Sequence, residues 1–316
     1  MIFSNANSFK AKIKNIAKEK EIHPQQIMQN YLIEQILRLI SKSGYKDAFI
    51  VKGGYLISSF IGIDKRTTMD LDVTIKGLKL SSEKIMDIFR EVLSINESRD
   101  SFTFYIESIK DIRVDSEYGG FEIKINASFD SLREVVFIDI TTGDKITPKE
   151  MDYSLKSVFD NDYIDIFAYN IETLLAEKLE TVLHRGSASS RPRDRYDIYT
   201  IWHMRKTEIN IEILRLAIIN TAGYRGTVDV FNKWEEQLDN ILNSDYQKQL
   251  WRKYQKSFPY AQEVKFEDSC KVIEEILEKV EETYLLEHYK NVKKNMQKNP
   301  KMHTFDSACN KLDINI

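Results

Sequence analysis

The spacing of hydrophobic positions divides the chain into a mixed N-terminal part and a C-terminal part that is helical almost throughout. Helical spacing predicts N-terminal helices over residues 9–20, 25–41, 55–61 and 82–95. Short apolar or alternating runs predict strands over 48–51, 71–75, 102–112, 120–129, 135–141 and 163–168. From residue 171 the helical period dominates, over 171–185, 195–206, 211–220, 228–242, 246–257 and 267–293. The pattern indicates an α+β fold with a mixed sheet, followed by a helical part.

The length of the chain agrees with a division into two domains. With 316 residues it exceeds the roughly 250–300 residues at which single hydrophobic cores stop growing. We predict an α+β domain over residues 1–170, which includes the N-terminal helices, and a helical domain over 171–316. The Lys- and Asn-rich end is expected to fray.

Composition narrows the class of protein. With 42% apolar residues, 30% charged residues, 11 Gly and 5 Pro, the chain is typical of ordered globular proteins. The N-terminus lacks an apolar signal region, and no segment approaches the ~20 apolar residues of a membrane span, so we expect a cytoplasmic protein without membrane contact. Cys270 and Cys309 are far apart and lack a CxxC spacing, which argues against a zinc site.

Two local basic patches stand out against a net charge of −3, which excludes a uniformly basic nucleic-acid binder. The first is a helix with lysines at 10, 12, 14, 18 and 20, for which a solvated face is favoured over RNA contact. The second is the loop 184–193, predicted to be flexible, with Arg185, Arg191, Arg193 and the following Arg195. For this loop, contact with a phosphate backbone and simple solvation are equally favoured.

Two aspartates at the start of a predicted strand are candidate metal ligands. Asp70 and Asp72 are two residues apart, so their side chains leave the same face of the strand. Carboxylate oxygens suit Mg²⁺, with Mn²⁺ as an alternative, although an isolated DxD is more often a solvated strand end. Asp139 interrupts the apolar run 135–140 and could supply a third ligand. The alternative is a register that turns Asp139 to solvent.

A pair of glycines lies between a predicted strand and a predicted helix. In the run Lys52-Gly53-Gly54, the missing Cβ atoms let backbone N–H groups approach a phosphate at a helix N-terminus. Alone, such a pair is merely a turn. Followed by the DxD strand and a third acidic strand, it predicts two-metal phosphoryl transfer from a nucleoside triphosphate (NTP).

Four motifs in order resemble the AbiEii/AbiGii abortive-infection toxin family of nucleotidyltransferases. They are KGGYLIS at 52–58, RTTMDLD at 66–72, IETLLAEKL at 171–179 and RDRYDIY at 193–199. The resemblance covers residues from about 48 to 200. It implies a polymerase-β-like nucleotidyltransferase core whose active site is completed by the helical domain.

The resemblance also implies an activity and a partner. The chain would be the growth-inhibiting toxin of a type IV toxin–antitoxin pair acting in phage abortive infection. It would transfer a nucleoside monophosphate (NMP) from an NTP to an acceptor hydroxyl, for which a tRNA 3′ end or another RNA is a candidate. The expected partner is a DNA-binding antitoxin encoded nearby, without a stable complex between the two.

Carried over to this chain, the family pattern implies roles for individual residues. Gly53 and Gly54 would cradle phosphate, Asp70 and Asp72 would bind metal, and Lys178 would serve NTP binding. Beside these, we predict Asp139 as the third metal ligand, and Lys52, Arg66 and Thr67 as further nucleotide-binding residues. Lys178 and Asp194 would take part in catalysis. Many nucleotidyltransferases have Ser where this chain has Gly54, so a hydroxyl contact to phosphate is absent here.

The residues alone leave alternatives open for the later motifs. Lys178 on an amphipathic helix is usually solvent-facing, and its ammonium is otherwise free to reach a phosphate. Asp194 could equally cap the following helix, and Asp197 is the alternative catalytic acid.

Two other functions compete with transfer. A degenerate fold would bind NTP or a protein partner without catalysis, and four intact motifs argue against it. A metal-dependent nuclease would not need the glycine turn together with a lysine on a later helix.

Overall fold

The computed structural model describes residues 3–95, 102–112 and 120–298, with side chains as far as residue 284. The described helices are α1 (Ala6–Glu19), α2 (Pro24–Lys42), α3 (Gly53–Ile61), α4 (Ser82–Ser94), α5 (Ile171–Arg185), α6 (Pro192–Arg205), α7 (Ile211–Arg225), α8 (Val228–Phe231), α9 (Trp234–Leu242), α10 (Asp245–Ser257) and α11 (Phe266–Lys298). Short 3₁₀ turns lie at Lys46–Ala48, Gly186–Ala188, Lys206–Glu208 and Pro259–Ala261. The predicted frayed tail beyond residue 298 and Cys309 lie outside the described residues.

The strands form one seven-stranded sheet within the described part of the chain. They are β1 (Phe49–Lys52), β2 (Asp70–Ile75), β3 (Thr103–Ile112), β4 (Gly120–Phe129), β5 (Leu132–Thr142), β6 (Met151–Lys156) and β7 (Tyr163–Ala168), in the order β3-β4-β5-β2-β1-β7-β6. β2 runs parallel to β5 and β1 parallel to β7, whereas the other neighbours are antiparallel. The predicted α+β fold with a mixed sheet and a helical C-terminal part is therefore confirmed.

Three elements differ from the sequence prediction. β6 was not predicted, although Met151, Tyr153 and Leu155 alternate with polar residues. The run is short, and only Leu155 is fully buried on this edge strand. α7 continues past the predicted end at residue 220 and stops at Gly226, whose φ of 67° provides a left-handed cap. The helix predicted over 228–242 breaks into α8 and α9, and the break buries Trp234, whose indole N–H donates to Glu281 Oε1 at 2.7 Å.

Helix α2 fills the space between α1 and one face of the sheet. Its residues are buried around most of its circumference, from Ile27 to Ile40, because it contacts α1, α4 and strands β2, β5 and β7. α1 buries only one stripe, centred on Phe9 and Ile13, and leaves Lys10, Lys14 and Lys18 exposed. The solvated-face interpretation of these lysines stays a prediction. The opposite face of the sheet is left for the helical half.

The helical half is joined to the sheet without a break in the core. β7 ends at Ala168 and α5 begins at Ile171, with the Asn170 side chain accepting the Thr173 N–H as N-cap. One cluster of buried hydrophobic residues includes side chains of the sheet and of α5 to α11. The division into domains at residue 170 stays a prediction. Within the described part of the chain, no helix has the length and apolar character needed to cross a membrane.

Candidate active site

A cleft of about 950 Å³ lies between the sheet and helices α5, α6 and α7. It brings together nearly all residues that the sequence singled out. Those that line it are Lys52, Gly53, Gly54, Arg66, Asp70, Asp72, Asp139, Lys178 and Asp194. Thr67 is the exception.

The three predicted metal ligands lie on one face of two adjacent parallel strands. Asp72 on β2 pairs in register with Asp139 on β5, and Asp70 precedes Asp72 by two residues. Leu71 and Val73, which alternate with the aspartates, are completely buried on the other face. Asp139 is half-buried and lines the cleft, so its register does not turn it away from the site.

The charges of Asp70 and Asp72 repel each other on this face. Burial, and next the charge of Asp70, raise the pKa of Asp72, whereas Lys52 and the Gly54 N–H oppose the shift. Among the described residues, no three His, Cys, Asp or Glu side chains form a preformed metal-binding group.

The segment before β2 places Thr68, rather than Thr67, in the cleft. The Thr68 hydroxyl donates to Asp70 Oδ1 at 2.5 Å and fixes that carboxylate. Thr67 lies outside the cleft and its Oγ1 accepts a hydrogen bond from Gln26 Nε2 of α2 at 2.9 Å. The two threonines lie in an irregular segment and point to different sides, so the residue that lines the cleft is one position later than the predicted one.

The glycine turn lies directly against the Asp72 carboxylate. Gly53 has a φ of +63°, and a Cβ there would lie 2.1 Å from Asp72 Oδ2. The Gly54 N–H donates to Asp72 Oδ2 at 3.2 Å. A Cβ on Gly54 would lie 2.7 Å from Arg66 Nη2 and 3.1 Å from Thr68 Oγ1. This chain has Gly instead of Ser at position 54 because Arg66 and Thr68 occupy the space.

We expect Gly53→Ala to abolish nucleotide transfer, because the added methyl group displaces the Asp72 carboxylate. The left-handed backbone would also lower the free energy of unfolding by about 1–2 kcal/mol. Gly77→Ala is the matched control, because Gly77 has a φ of +77° with no atom within 4 Å of an added Cβ. It should show the same loss of stability, measured by chemical denaturation, but keep NTP binding. Equal NTP binding in both variants would contradict the expected displacement of Asp72.

Lys52 is held by an acidic residue that the sequence did not single out. Its Nζ forms an ion pair with Asp144, which also accepts hydrogen bonds from Thr141 Oγ1 at 2.5 Å and from the Tyr169 hydroxyl at 3.1 Å. Burial would raise the pKa of Asp144, but Lys52 and the hydroxyl donors outweigh burial and hold it at about 2. Asp144 lines the cleft, although its sequence context, after Gly143, is that of an ordinary turn.

Lys178 is part of a buried ion-pair cluster. Its Nζ lies 2.5 Å from Asp194 Oδ1 and 2.9 Å from Asp197 Oδ2, and Arg66 Nε donates to Asp197 Oδ1 at 2.8 Å. Burial would lower the pKa of Lys178, but the two aspartates outweigh burial and raise it. The expectation of an ammonium free to reach a phosphate is therefore wrong for this state, because two long-range partners hold it.

The two aspartates of this cluster differ in their position relative to the cleft. Asp194 lines the cleft, whereas Asp197 is completely buried behind it. Burial opposes ionisation of Asp197, but Arg66 and Lys178 lower its pKa to about 2. Asp194 lies in the first turn of α6, where its charge is favourable, but α6 has no side-chain cap hydrogen bond. The capping alternative for Asp194 is not observed.

Three of the four arginines predicted for the basic loop face the cleft. Arg185, Arg191 and Arg193 line it, from the end of α5 and the start of α6. Arg195 points into the helical core instead, where its Nη1 donates to Gln247 Oε1 at 2.8 Å and its guanidinium lies 5.6 Å from the Trp251 ring centroid. The expected loop is largely helical, since α6 begins at Pro192. Its helical period turns Arg195 inward.

A further arginine enters the cleft from α7. Arg225 lies 3.1 Å from Glu177 Oε1 and forms a second ion pair with Glu180, and both Arg225 and Glu177 line the cleft. Arg225 lies beyond residue 220, where the predicted helix ends, and was therefore not a predicted site residue.

The profile of the nucleotidyl transferase AbiEii toxin family, type IV toxin–antitoxin system, matches residues 35–279. The chain belongs to this family. All cleft residues, from Lys52 to Gly226, lie inside the matched part. The AbiEii-family assignment makes the protein a nucleotidyltransferase and a toxin, which confirms the resemblance found in the four motifs. It also implies an NTP substrate and an antitoxin partner.

Two solved structures from Helicobacter pylori are similar to this AbiEii-family chain. One, provisionally described as a nucleotidyltransferase, has 13% sequence identity and a TM-score of 0.48, and the match covers 83% of this chain and 99% of that one. The other, JHP933, has 14% identity and a TM-score of 0.45, with 84% and 98% covered. No curated protein matches the chain. The assignment rests on the family match.

Proposed function

We propose that the protein is a metal-dependent toxin that transfers an NMP from an NTP to the 3′ hydroxyl of an RNA, with a tRNA end as the first candidate. The observation that carries the proposal is the position of three carboxylates on one sheet face, opposite the glycine turn, in a cleft with a cationic rim. Growth inhibition during phage infection and a cytoplasmic location belong to the same proposal.

The residues present fit a divalent cation that arrives with the nucleotide. Asp72 and Asp70 raise the local negative charge, and Asp139 faces Asp72 in register. Mg²⁺ commonly uses one or two protein carboxylates and takes its other ligands from water and substrate phosphates, so a preformed cluster of three is not required. Mn²⁺ accepts the same oxygen donors. Bound there, the metal would neutralise the triphosphate and lower the pKa of the attacking hydroxyl.

The protein side chains would position and neutralise the triphosphate. Gly53 brings the backbone close to the carboxylates, and Lys52 and Lys178 lie on opposite sides of the cleft lining, each held by an acidic partner. We propose that phosphate oxygens compete with Asp194 for the Lys178 ammonium, while Asp197 and Arg66 keep that side chain in place. The proposed transfer requires no covalent intermediate between the protein and the nucleotide.

Asp139 is proposed to orient the acceptor hydroxyl. We expect Asp139→Asn to lower the rate of transfer by at least about 100-fold and to keep most NTP affinity, because its role concerns the nucleophile. Single-turnover rates and equilibrium NTP binding measure the two effects separately.

Glu122→Gln is the matched control for Asp139→Asn. Glu122 pairs with Asp139 in register on β4, so the variant removes one negative charge beside the site, but Glu122 does not line the cleft. Its transfer rate should stay close to that of the wild type. Unfolding of Asp139→Asn would show instead that Asp139 is structural.

An RNA acceptor is supported by the rim of the cleft. Arg185, Arg191 and Arg193 are positioned where a phosphate backbone would enter, and guanidinium groups pair with phosphate oxygens in a bidentate manner. A protein hydroxyl or a small molecule would not need three arginines outside the triphosphate site. The antitoxin is proposed to act without a stable complex.

The test is transfer from each α-labelled NTP, with Mg²⁺, in the presence and absence of total cellular RNA. We expect label in RNA, removal of the label by RNase, and loss of labelling with EDTA. Label found on protein instead of RNA would show that the acceptor is a protein hydroxyl. NTP binding without transfer would support a degenerate fold, and shortened RNA would support a nuclease.

A further inference from the structure

A second groove, of about 580 Å³, continues from the cleft beyond the ends of β2 and β5. Thr142 and Asp144 line both cavities, so the two are connected along the sheet. The groove is formed by the segments 74–79 and 142–150. None of the four sequence motifs includes these segments.

The groove is basic although the whole chain is slightly acidic. Four exposed lysines line it, namely Lys76, Lys79, Lys145 and Lys149. We call the groove that these four lysines line the lysine groove. Lys76 pairs with Glu150 at 2.6 Å. Within the described residues, no ion pair neutralises the other three lysines.

The wall of the lysine groove is fixed by the helical half. Asn170 Nδ2 donates to the carbonyl oxygens of Thr147 and Lys149 at 2.8 and 2.9 Å, and Asn220 Nδ2 donates to Thr147 Oγ1 at 2.9 Å. Lys145 lies 5.9 Å from the ring centroid of Tyr224, which lines the cleft. The backbone of the wall that carries Lys145 and Lys149 is therefore held in place, which lowers the entropy that this segment would lose on binding a ligand.

These features match an extended polyanion better than a single small anion. The charges are distributed along a groove that leads into the cleft, and lysine ammonium groups act as point charges that suit backbone phosphates rather than base edges. We propose that the lysine groove binds the phosphate backbone of the RNA acceptor, on the nucleotides that precede the 3′ end in the cleft. The inference rests on the proposed RNA acceptor and adds the route by which it binds.

The test compares two triple variants that remove the same number of charges. Lys79→Ala/Lys145→Ala/Lys149→Ala changes the groove, whereas Lys10→Ala/Lys14→Ala/Lys18→Ala changes the exposed face of α1. Binding of fluorescein-labelled total tRNA is measured by anisotropy in EDTA, so that no transfer occurs. NTP binding and thermal midpoints are measured on the same preparations.

We expect the groove variant to bind tRNA about tenfold more weakly or worse and to lower the slope of log K against log[salt] by about 2, since each phosphate contact contributes about 0.7 to 0.9. NTP binding should not change, and the α1 variant should bind tRNA almost normally. Unchanged tRNA binding by the groove variant would overturn the inference while leaving transfer to RNA intact. If the wild type neither binds nor labels RNA, both the groove and the RNA acceptor are overturned.

Discussion

Asp70→Asn and Asp72→Asn are each expected to abolish nucleotide transfer, by roughly three orders of magnitude or more, and to abolish growth inhibition. Each variant removes one charge from the carboxylate face at which the metal and triphosphate are proposed to bind, and electrostatic groups of this kind make large contributions to transition-state stabilisation. Initial rates with labelled NTP and growth curves after induction measure the two outcomes.

The stability of these variants separates a functional from a structural role. The charge of Asp70 raises the pKa of Asp72, so the two carboxylates repel each other in the folded protein without metal. Asp70→Asn removes this repulsion, and its thermal midpoint should equal or exceed that of the wild type. Asp152→Asn is the control, because Asp152 is exposed on the edge strand β6. Transfer within twofold of the wild type in either site variant would contradict the proposed metal site.

The sequence predicted that Asp70 and Asp72 lie on one face of a strand, because that signal is local. The two-residue period of a strand places Asp70 and Asp72 on one face, whatever the rest of the fold does. The position of Asp139 beside Asp72 could not be predicted in this way, because it depends on the parallel pairing of β2 with β5. Such pairing is a long-range choice that the run 135–141 does not encode.

Misses in the candidate site have similar physical causes. Thr67 was chosen over Thr68 in an irregular segment, where no period tells which side chain faces the cleft. Asp144 resembles a turn residue until its ion pair with Lys52 is seen. Arg225 lies on a turn of α7 that was not predicted, because the cap at Gly226 has a weak signal among the flanking residues.

The partners of Lys178 show most directly what a helical pattern cannot predict. Its neighbours on α5 indicated a solvent-facing side chain or a free phosphate ligand, whereas Asp194 and Asp197 come from α6 and Arg66 from the loop before β2. Four ionised groups meet only once these three segments pack together. Because these groups are largely buried, a substitution of any one of them is expected to change both the stability of the protein and its activity.

Lys178→Met is expected to lower the free energy of unfolding by about 3 kcal/mol and to abolish transfer. The variant keeps the side-chain volume but leaves the buried Asp194 carboxylate with only the half-exposed Arg191, whose Nε lies 3.2 Å from Asp194 Oδ2. Loss of one partner of a buried ion pair is the usual cause of losses of this size. Asp197 keeps Arg66. The pKa of Asp197, about 2 in the wild type, should rise, because one of its two cations is lost. Because this pKa lies below that of an unfolded Asp, the contribution of Asp197 to stability is present above about pH 4 and is lost as the pH falls toward about 2. A higher pKa in the variant makes this contribution smaller, so the variant should lose less stability than the wild type over this range of pH.

The double variant Lys178→Met/Asp194→Asn tests whether the pair of Lys178 and Asp194 is purely structural. Removing both charges of the pair should recover a large part of the lost stability, since no buried carboxylate is left uncompensated at position 194. If Lys178 also binds the triphosphate, transfer stays abolished in the double variant. Lys178→Arg should likewise restore stability better than activity, because the planar guanidinium does not replace a compact ammonium. Denaturation curves and transfer rates on the same preparations test both statements. Recovery of stability together with transfer in the double variant would show that Lys178 only neutralises Asp194, leaving Lys52 and the glycine turn as the proposed phosphate contacts.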